Sequence, residues 1–207
     1  MRSLVPLAAV LAAGLLALVV RRSAGDAPAA APATADPHVR TLYRYDPLRS
    51  AVALATGEDG RVFRDHYARA RAVDLDFGNF GDDALTVATD DNRRGTIVDL
   101  GSVEELAKRY GYVEPPGGGQ GYASIHFVGG RLVITRPVEG TFQPLREISD
   151  LLQTPTPAAS APAAVGHVYL VRLLDKLDPG FELLAKVLVI EHKARETCTI
   201  RFDVLTR

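Results

Sequence analysis

The residues from Val168 to Leu205 confine this chain to a β-sheet architecture, because VYLVRLL, ELLAKVLVIE and TCTIRFDVL follow one another with only short polar breaks. In the last segment Cys198, Ile200, Phe202 and Val204 alternate with Thr197, Thr199, Arg201 and Asp203. Alternation of period two sends successive side chains to opposite faces of a sheet, so a sheet with one dry and one wet face is expected. Three strands cannot bury such a face alone, and earlier strands must cover it. The middle segment is ambiguous. Residues 181–192 carry Leu, Ala, Lys and Glu that would suit a helix, whereas Val187, Val189 and Ile190 favour a strand.

The upstream chain supplies candidates for that cover. VRTLYRY from Val39, AVALA and RVF on either side of Gly57-Glu58-Asp59-Gly60, AVDLDF, ALTVAT and TIVDLG are short strand-like runs between polar turns. Regular spacing of this kind points to a mainly β fold, an antiparallel β-sandwich or partly open barrel with one or two short helices. One helix is expected after Ser102, with Glu105 as capping-box partner, Val103, Leu106 and Tyr110 on one stripe, and Gly111 as its stop. PLREISDLLQ suggests a second, with Leu145, Ile148, Leu151 and Leu152 at helical spacing. YASIHFV-GG-RLVITR reads as a hairpin, since Gly129-Gly130 supplies the positive φ angles of a two-residue turn. Its expected register sets Val128 against Arg131 and Ile125 against Ile134. That register places Ala123, Ile125, Phe127, Leu132 and Ile134 on a core face and Tyr122, Ser124, His126 and Arg131 on a polar one.

Length and low-complexity stretches set the domain plan. The 207 residues suit one compact domain with extensions. Residues 1–23 combine Arg2, an apolar run from Leu4 to Val20 and the pair Arg21-Arg22. The run is longer than a usual signal core of about 7–15 residues and just reaches the length of a spanning helix, so a cleaved signal peptide and a retained anchor are both open. Residues 24–38 are Ala/Pro-rich without large apolar side chains, as in a disordered tether. Residues 39–207 then form a single β-rich domain with a disordered loop at 154–165, TPTPAASAPAA, inside it. These features imply an extracytoplasmic location, periplasmic, secreted or tethered through residues 4–20, with the N-terminal segment as the sole membrane contact.

Charge and motifs narrow the function classes. A formal net charge of −1 without a basic cluster argues against a nucleic-acid partner. One cysteine, Cys198, rules out an intrachain disulfide and sits on an apolar strand face as a small hydrophobe. PPGGGQG lacks the Lys-Ser or Lys-Thr of a phosphate loop. No nucleophile elbow, zincin helix or dinucleotide fingerprint occurs, which leaves an enzyme, an unrecognised hydrolase, as the lesser alternative.

Two constellations are candidate sites. Asp74, Asp76, Asn79 and Asp82 bring carboxylate and amide oxygens to one turn, the donor type that Ca²⁺ takes, although without EF-hand spacing. Asp90, Asp91 and Asn92 form a second acidic turn, one strand away and beside Arg93 and Arg94. Tyr122, Ser124, His126 and Arg131 combine an aromatic plate, donors and one positive charge, suited to a sugar, a peptide or an anion. Among the histidines, His38, His66, His126, His167 and His192, the last two flank the first hairpin of the closing meander. Antiparallel pairing would make them neighbours and give a metal or haem iron two ligands.

VDLDF, GTIVDLG and the closing GHVYLVRLLD, FELLAKVLVIEH and CTIRFDVL resemble a module of exported bacterial proteins of unknown function. In that module a Gly-His-x-Tyr-x-Val-Arg strand precedes an Ala-Lys-x-x-Val hairpin. The closing pattern is similar, more loosely, to the C-terminal part of HmuY-like haem-binding surface proteins, without their Trp-Asp strand or a lipobox. The resemblance covers about the last forty residues and two short pieces upstream, and implies fold type and surface location. The expectation is a non-enzymatic binding or envelope-interaction module whose partner is an envelope protein or a small ligand. A haem or metal carrier using His126 with His167 or His192 is the alternative.

Overall fold

The computed structural model describes residues 36–46, 48–60, 73–87, 92–116, 119–153 and 158–205. The expected signal or anchor, nearly all of the tether, RVF, Asp90, Asp91 and the first part of the low-complexity stretch lie outside these ranges. All strand pairs are antiparallel. β1 (Val39–Tyr43), β13 (Thr197–Val204), β12 (Glu182–Lys193), β11 (Val168–Asp175) and β6 (Arg93–Gly101) form a five-stranded sheet in that order. A second sheet orders β10 (Ser160–Pro162), β5 (Ala84–Val87), β4 (Leu75–Phe77), β2 (Ala51–Val52) and β3 (Asp59–Gly60). β7 (Ile125–Val128), β8 (Arg131–Val138) and β9 (Thr141–Glu147) make the third.

The closing meander is the centre of the molecule, and it has two covered faces rather than one. On one side Tyr169, Val171 and Leu173 of β11, Ala185, Val187 and Val189 of β12, and Cys198, Ile200 and Phe202 of β13 pack against Val52, Leu75, Phe77, Leu85 and Val87 of the second sheet. This is the sandwich. On the other side Val168, Leu170, Leu184 and Leu188 meet Leu106, Ile125, Leu132, Ile134 and Ile148 from the helix and the third sheet. The expected wet face survives on β13 alone, where Thr197, Thr199, Arg201 and Asp203 escape full burial. β11 from Val168 to Leu174 and β12 from Leu183 to Val189 are apolar but for Arg172 and Lys186, because a strand covered on both faces has no solvent side to keep polar. The same reason resolves residues 181–192 as a strand.

The helix α1 (Val103–Tyr110) forms where expected. Glu105 accepts a hydrogen bond from the Ser102 backbone N–H at 3.0 Å, and Gly111 closes the helix at φ 69° with its N–H on the Ala107 carbonyl. Leu106 is its buried anchor. A side chain at Gly121 would put its Cβ 2.3 Å from Leu106 Cδ1, so the backbone approaches the helix where only glycine fits.

The Gly129-Gly130 turn has both φ angles positive, and Val128, Phe127, His126 and Ile125 pair with Arg131, Leu132, Val133 and Ile134 as the sequence implies. Upstream the strand stops early. Tyr122–Ser124 form a 3₁₀ turn, which breaks the alternation, so Tyr122 and Ser124 are buried and Ala123 is exposed. PLREISDLLQ is likewise no α-helix: β9 runs to Glu147 and one 3₁₀ turn, Ser149–Leu152, follows.

The described half of the low-complexity stretch, 158–165, is no loose loop. β10 pairs with β5, Ala161 and Ala163 enter the sandwich core, and the Ala158 carbonyl accepts from Ile97 N–H of β6 at 2.8 Å. This segment ties the second sheet to the edge of the first.

Candidate functional site

The third layer covers the central sheet only in part, and a cleft of 460 Å³ opens where it stops. Its polar wall is His38, His126, Lys186 and Asp203, and Leu54, Phe127, Val204 and Leu205 supply apolar surface. That volume falls within the about 300–1,000 Å³ usual for small-ligand sites.

Each polar group owes its place to a register. Lys186 and Asp203 are direct partners across β12 and β13. Lys186 shares the face of Leu184 and Leu188, so an ammonium is built into an otherwise apolar row. It is satisfied there: Nζ donates to the Tyr122 carbonyl at 3.0 Å and the Ile125 carbonyl at 3.3 Å, with Asp203 Oδ2 at 3.9 Å. Nζ also lies 4.5 Å from the centre of the Tyr122 ring, within cation–π range. Burial lowers the Lys186 pKa, the charge of Asp203 opposes that shift, and Arg201 adds to it. Burial also raises the Tyr122 pKa, helped by Asp203.

His126 stands on β7 and its ring packs 4.5 Å from that of Phe142. Its Nε2 is buried and finds no hydrogen-bond partner among the described residues. Burial first, and the charge of Lys186 second, hold its pKa below the usual histidine value, so the ring is neutral near pH 7. His38 approaches from the start of β1, with Nδ1 3.2 Å from Asp203 Oδ1 and 3.2 Å from the Phe202 carbonyl.

The other sequence candidates do not join this cleft. Ser124 is buried with its hydroxyl donating to the Gly121 carbonyl, and Arg131 is exposed and paired with Glu147. The expected polar face of Tyr122, Ser124, His126 and Arg131 is therefore not one surface. His167 and His192 are not neighbours either. Val168 pairs with Leu188, so His167 reaches Val189 by backbone bonds, while a bulge around Ile190 carries His192 on to pair with Cys198. His167 Nδ1 instead meets Asp99 at 3.0 Å, and His192 Nε2 meets Asp83 at 3.2 Å.

The acidic turn is dispersed in the same way. Asp74 is buried, accepts from Leu54 N–H at 2.8 Å and pairs with Arg93. Asp76 accepts from the Asn79 backbone N–H, and Asp82 pairs with Arg44. Among the described residues no three His, Cys, Asp or Glu side chains group as metal ligands.

Sequence reasoning found His126 but missed Lys186, Asp203 and the part played by His38. The signal was present in LLAKVLVI, where one lysine interrupts a row of buried aliphatics. A charge in such a row is retained only with partners at hand.

Fold and cleft together define a β-sandwich-type domain with a third, helix-bearing layer and a lateral small-molecule-sized cleft. No known protein family, curated protein or solved structure matches the chain.

Proposed function

We propose that this protein is an extracytoplasmic, non-enzymatic binding module that takes its ligand in the His38–His126–Lys186–Asp203 cleft. The observation that carries the reading is the His126 ring nitrogen, buried at the cleft without a partner among the described residues. Buried polar atoms in native proteins are nearly always hydrogen-bonded, and an unpaired one on a residue that lines a cleft is an atom that a ligand donor would satisfy. The apolar run 4–20 and the Ala/Pro-rich residues that follow support export, with the domain released by signal cleavage or held near the membrane on its tether. Among the described residues no helix is long and apolar enough to cross a membrane.

A carrier reading draws on the same cleft. Its histidines would be His126 and His38, which line one wall, in place of His167 and His192. Hydrolysis has less support: His167 holds a carboxylate on Nδ1, but Glu105 lies 4.0 Å from its Nε2, and the Ser102 hydroxyl donates to Glu104.

Native mass spectrometry on protein isolated from the membrane and secreted fractions of its source tests the reading. Excess mass that His126→Phe abolishes is the expected result. Ligand mass retained by that variant would place the ligand elsewhere and overturn the assignment. The observed N-terminus separates a cleaved signal from an anchor.

A further inference from the structure

We infer that the cleft selects an uncharged, hydroxyl-bearing ligand, a neutral saccharide, through acceptors at His126 and Asp203. This rests on the cleft being the ligand site, and it follows from what each wall residue still has to offer.

Lys186 offers little. Its Nζ donates to the Tyr122 and Ile125 carbonyls and lies 3.9 Å from Asp203 Oδ2, and its side chain is 9% exposed. An incoming anion would thus find the Lys186 ammonium already engaged and would face the Asp203 carboxylate. A cation fares no better, since the Lys186 ammonium lies beneath the same carboxylate and the carboxylates and histidines do not converge as metal ligands among the described residues. A purely apolar ligand would cover the part-exposed Asp203 carboxylate without pairing it, and would leave the buried His126 Nε2 unpaired as before; burying an unpaired polar group is unfavourable.

Acceptors are what remain. A carboxylate has about four lone-pair sites; His38 and Lys186 approach one oxygen each of Asp203, which leaves further sites open on a side chain 37% exposed. The neutral imidazole of His126 donates to the Ala123 backbone, which leaves its buried, unpaired Nε2 as one more acceptor. Neighbouring hydroxyls on a sugar ring present donors at a spacing that a carboxylate can bridge. The C–H face of the ring would lie on Leu54, Phe127, Val204 and Leu205, in the usual division of a pocket into an apolar wall and a few polar fixing points.

The test is an NMR titration of the full chain with a panel of neutral oligomers of glucose and N-acetylglucosamine, beside acetate and tetramethylammonium as charged probes. Expected is a saturable shift of Phe127 and Leu205 with at least one neutral glycan, weakened tenfold or more by His126→Phe and by Asp203→Asn. The first variant keeps a ring against Phe142, and the second keeps side-chain shape, so both should stay folded. Shifts with a charged probe and none with the glycans would overturn the saccharide inference while the ligand cleft stood. Glycan binding unchanged in both variants would overturn it as well. A cleft that responds to no probe in the panel would end the inference and the cleft reading together.

Discussion

Lys186 stands directly across the strand pair from Asp203, yet its ammonium is held more closely by two carbonyls of the neighbouring layer, those of Tyr122 and Ile125, than by the carboxylate. The central sheet is thus pinned to the third layer by a charged donor beside the candidate cleft. Lys186→Met keeps the aliphatic stem and removes that donor. Each of the two buried carbonyls left unpaired costs about 1–3 kcal/mol, so urea unfolding should show a loss of about 2–6 kcal/mol. Asp203→Asn, at a half-exposed partner, should cost less than about 1 kcal/mol. Equal losses in the two variants would show that the carboxylate, and not the carbonyls, holds Lys186.

Tyr169 performs the matching task on the opposite face. Its hydroxyl donates to the Pro162 carbonyl at 2.8 Å and accepts from the Ala164 N–H at 2.9 Å, clamping the segment that carries β10. Tyr169→Phe should destabilise the domain by about 1–3 kcal/mol. The loss should be local: amide exchange of Ala161 and Ala163 should accelerate while that of Ile200 and Phe202 does not.

That clamp explains why 158–165 resembles a loop in sequence. Ala, Pro and Ser have no period and no strand propensity, and what orders them is non-local: pairing with β5, backbone bonds to Ile97 and Asp83, and a phenol contributed from β11. The GG hairpin, the Ser102–Gly111 helix and the last closing strand were legible because their signals are local: φ sign, capping and alternation. The layer over the second face of the meander was less so, since apolar runs such as LLAKVLVI tell of two buried faces without naming the cover. The cleft was the least legible part. His126 alone stood out, because Lys186 with Asp203 depends on strand register, and His38 on where β1 docks.

Asp74 was a calcium candidate by composition, and the structure gives it a different partner. Its carboxylate bridges Leu54 N–H and the Arg93 guanidinium, with both side chains largely buried. Asp74→Ala strands the arginine and should cost about 3–5 kcal/mol, as breaking buried pairs does. Calcium chelator should leave the melting temperature of the parent unchanged. A chelator-dependent fall would restore the cation reading of this turn.

His126 gives the acid limb a specific signature. Its folded pKa lies below the ordinary 6.5, through burial and then Lys186. The unfolded chain therefore takes up its proton first as pH falls through 6.5, and stability falls with pH until the folded pKa is passed. The His126 ring resonance should titrate below 6.5, and His126→Phe should flatten the stability profile between pH 7 and 5. A titration at or above 6.5 would contradict the buried, neutral ring.

The alkaline limb isolates Cys198. Burial, with a smaller contribution from Asp83, pushes its thiol from 9.0 up to about 12. A raised folded pKa means stability that is whole below pH 9 and is lost as pH climbs towards 12, at no more than about 1.4 kcal/mol per pH unit. Buried Tyr122 and Tyr169, both raised above 10.0, add to the fall from pH 10 upward. Lys186 opposes it, because its lowered pKa makes stability rise with pH in the range below 10.5. Between pH 9 and 10 the decline measured by urea midpoint should therefore be shallower in Cys198→Ala than in the parent, and steeper in Lys186→Met. Parallel profiles for parent and Cys198→Ala would mean that the thiol ionises as freely folded as unfolded, and that the core around Ile200 and Phe202 admits water.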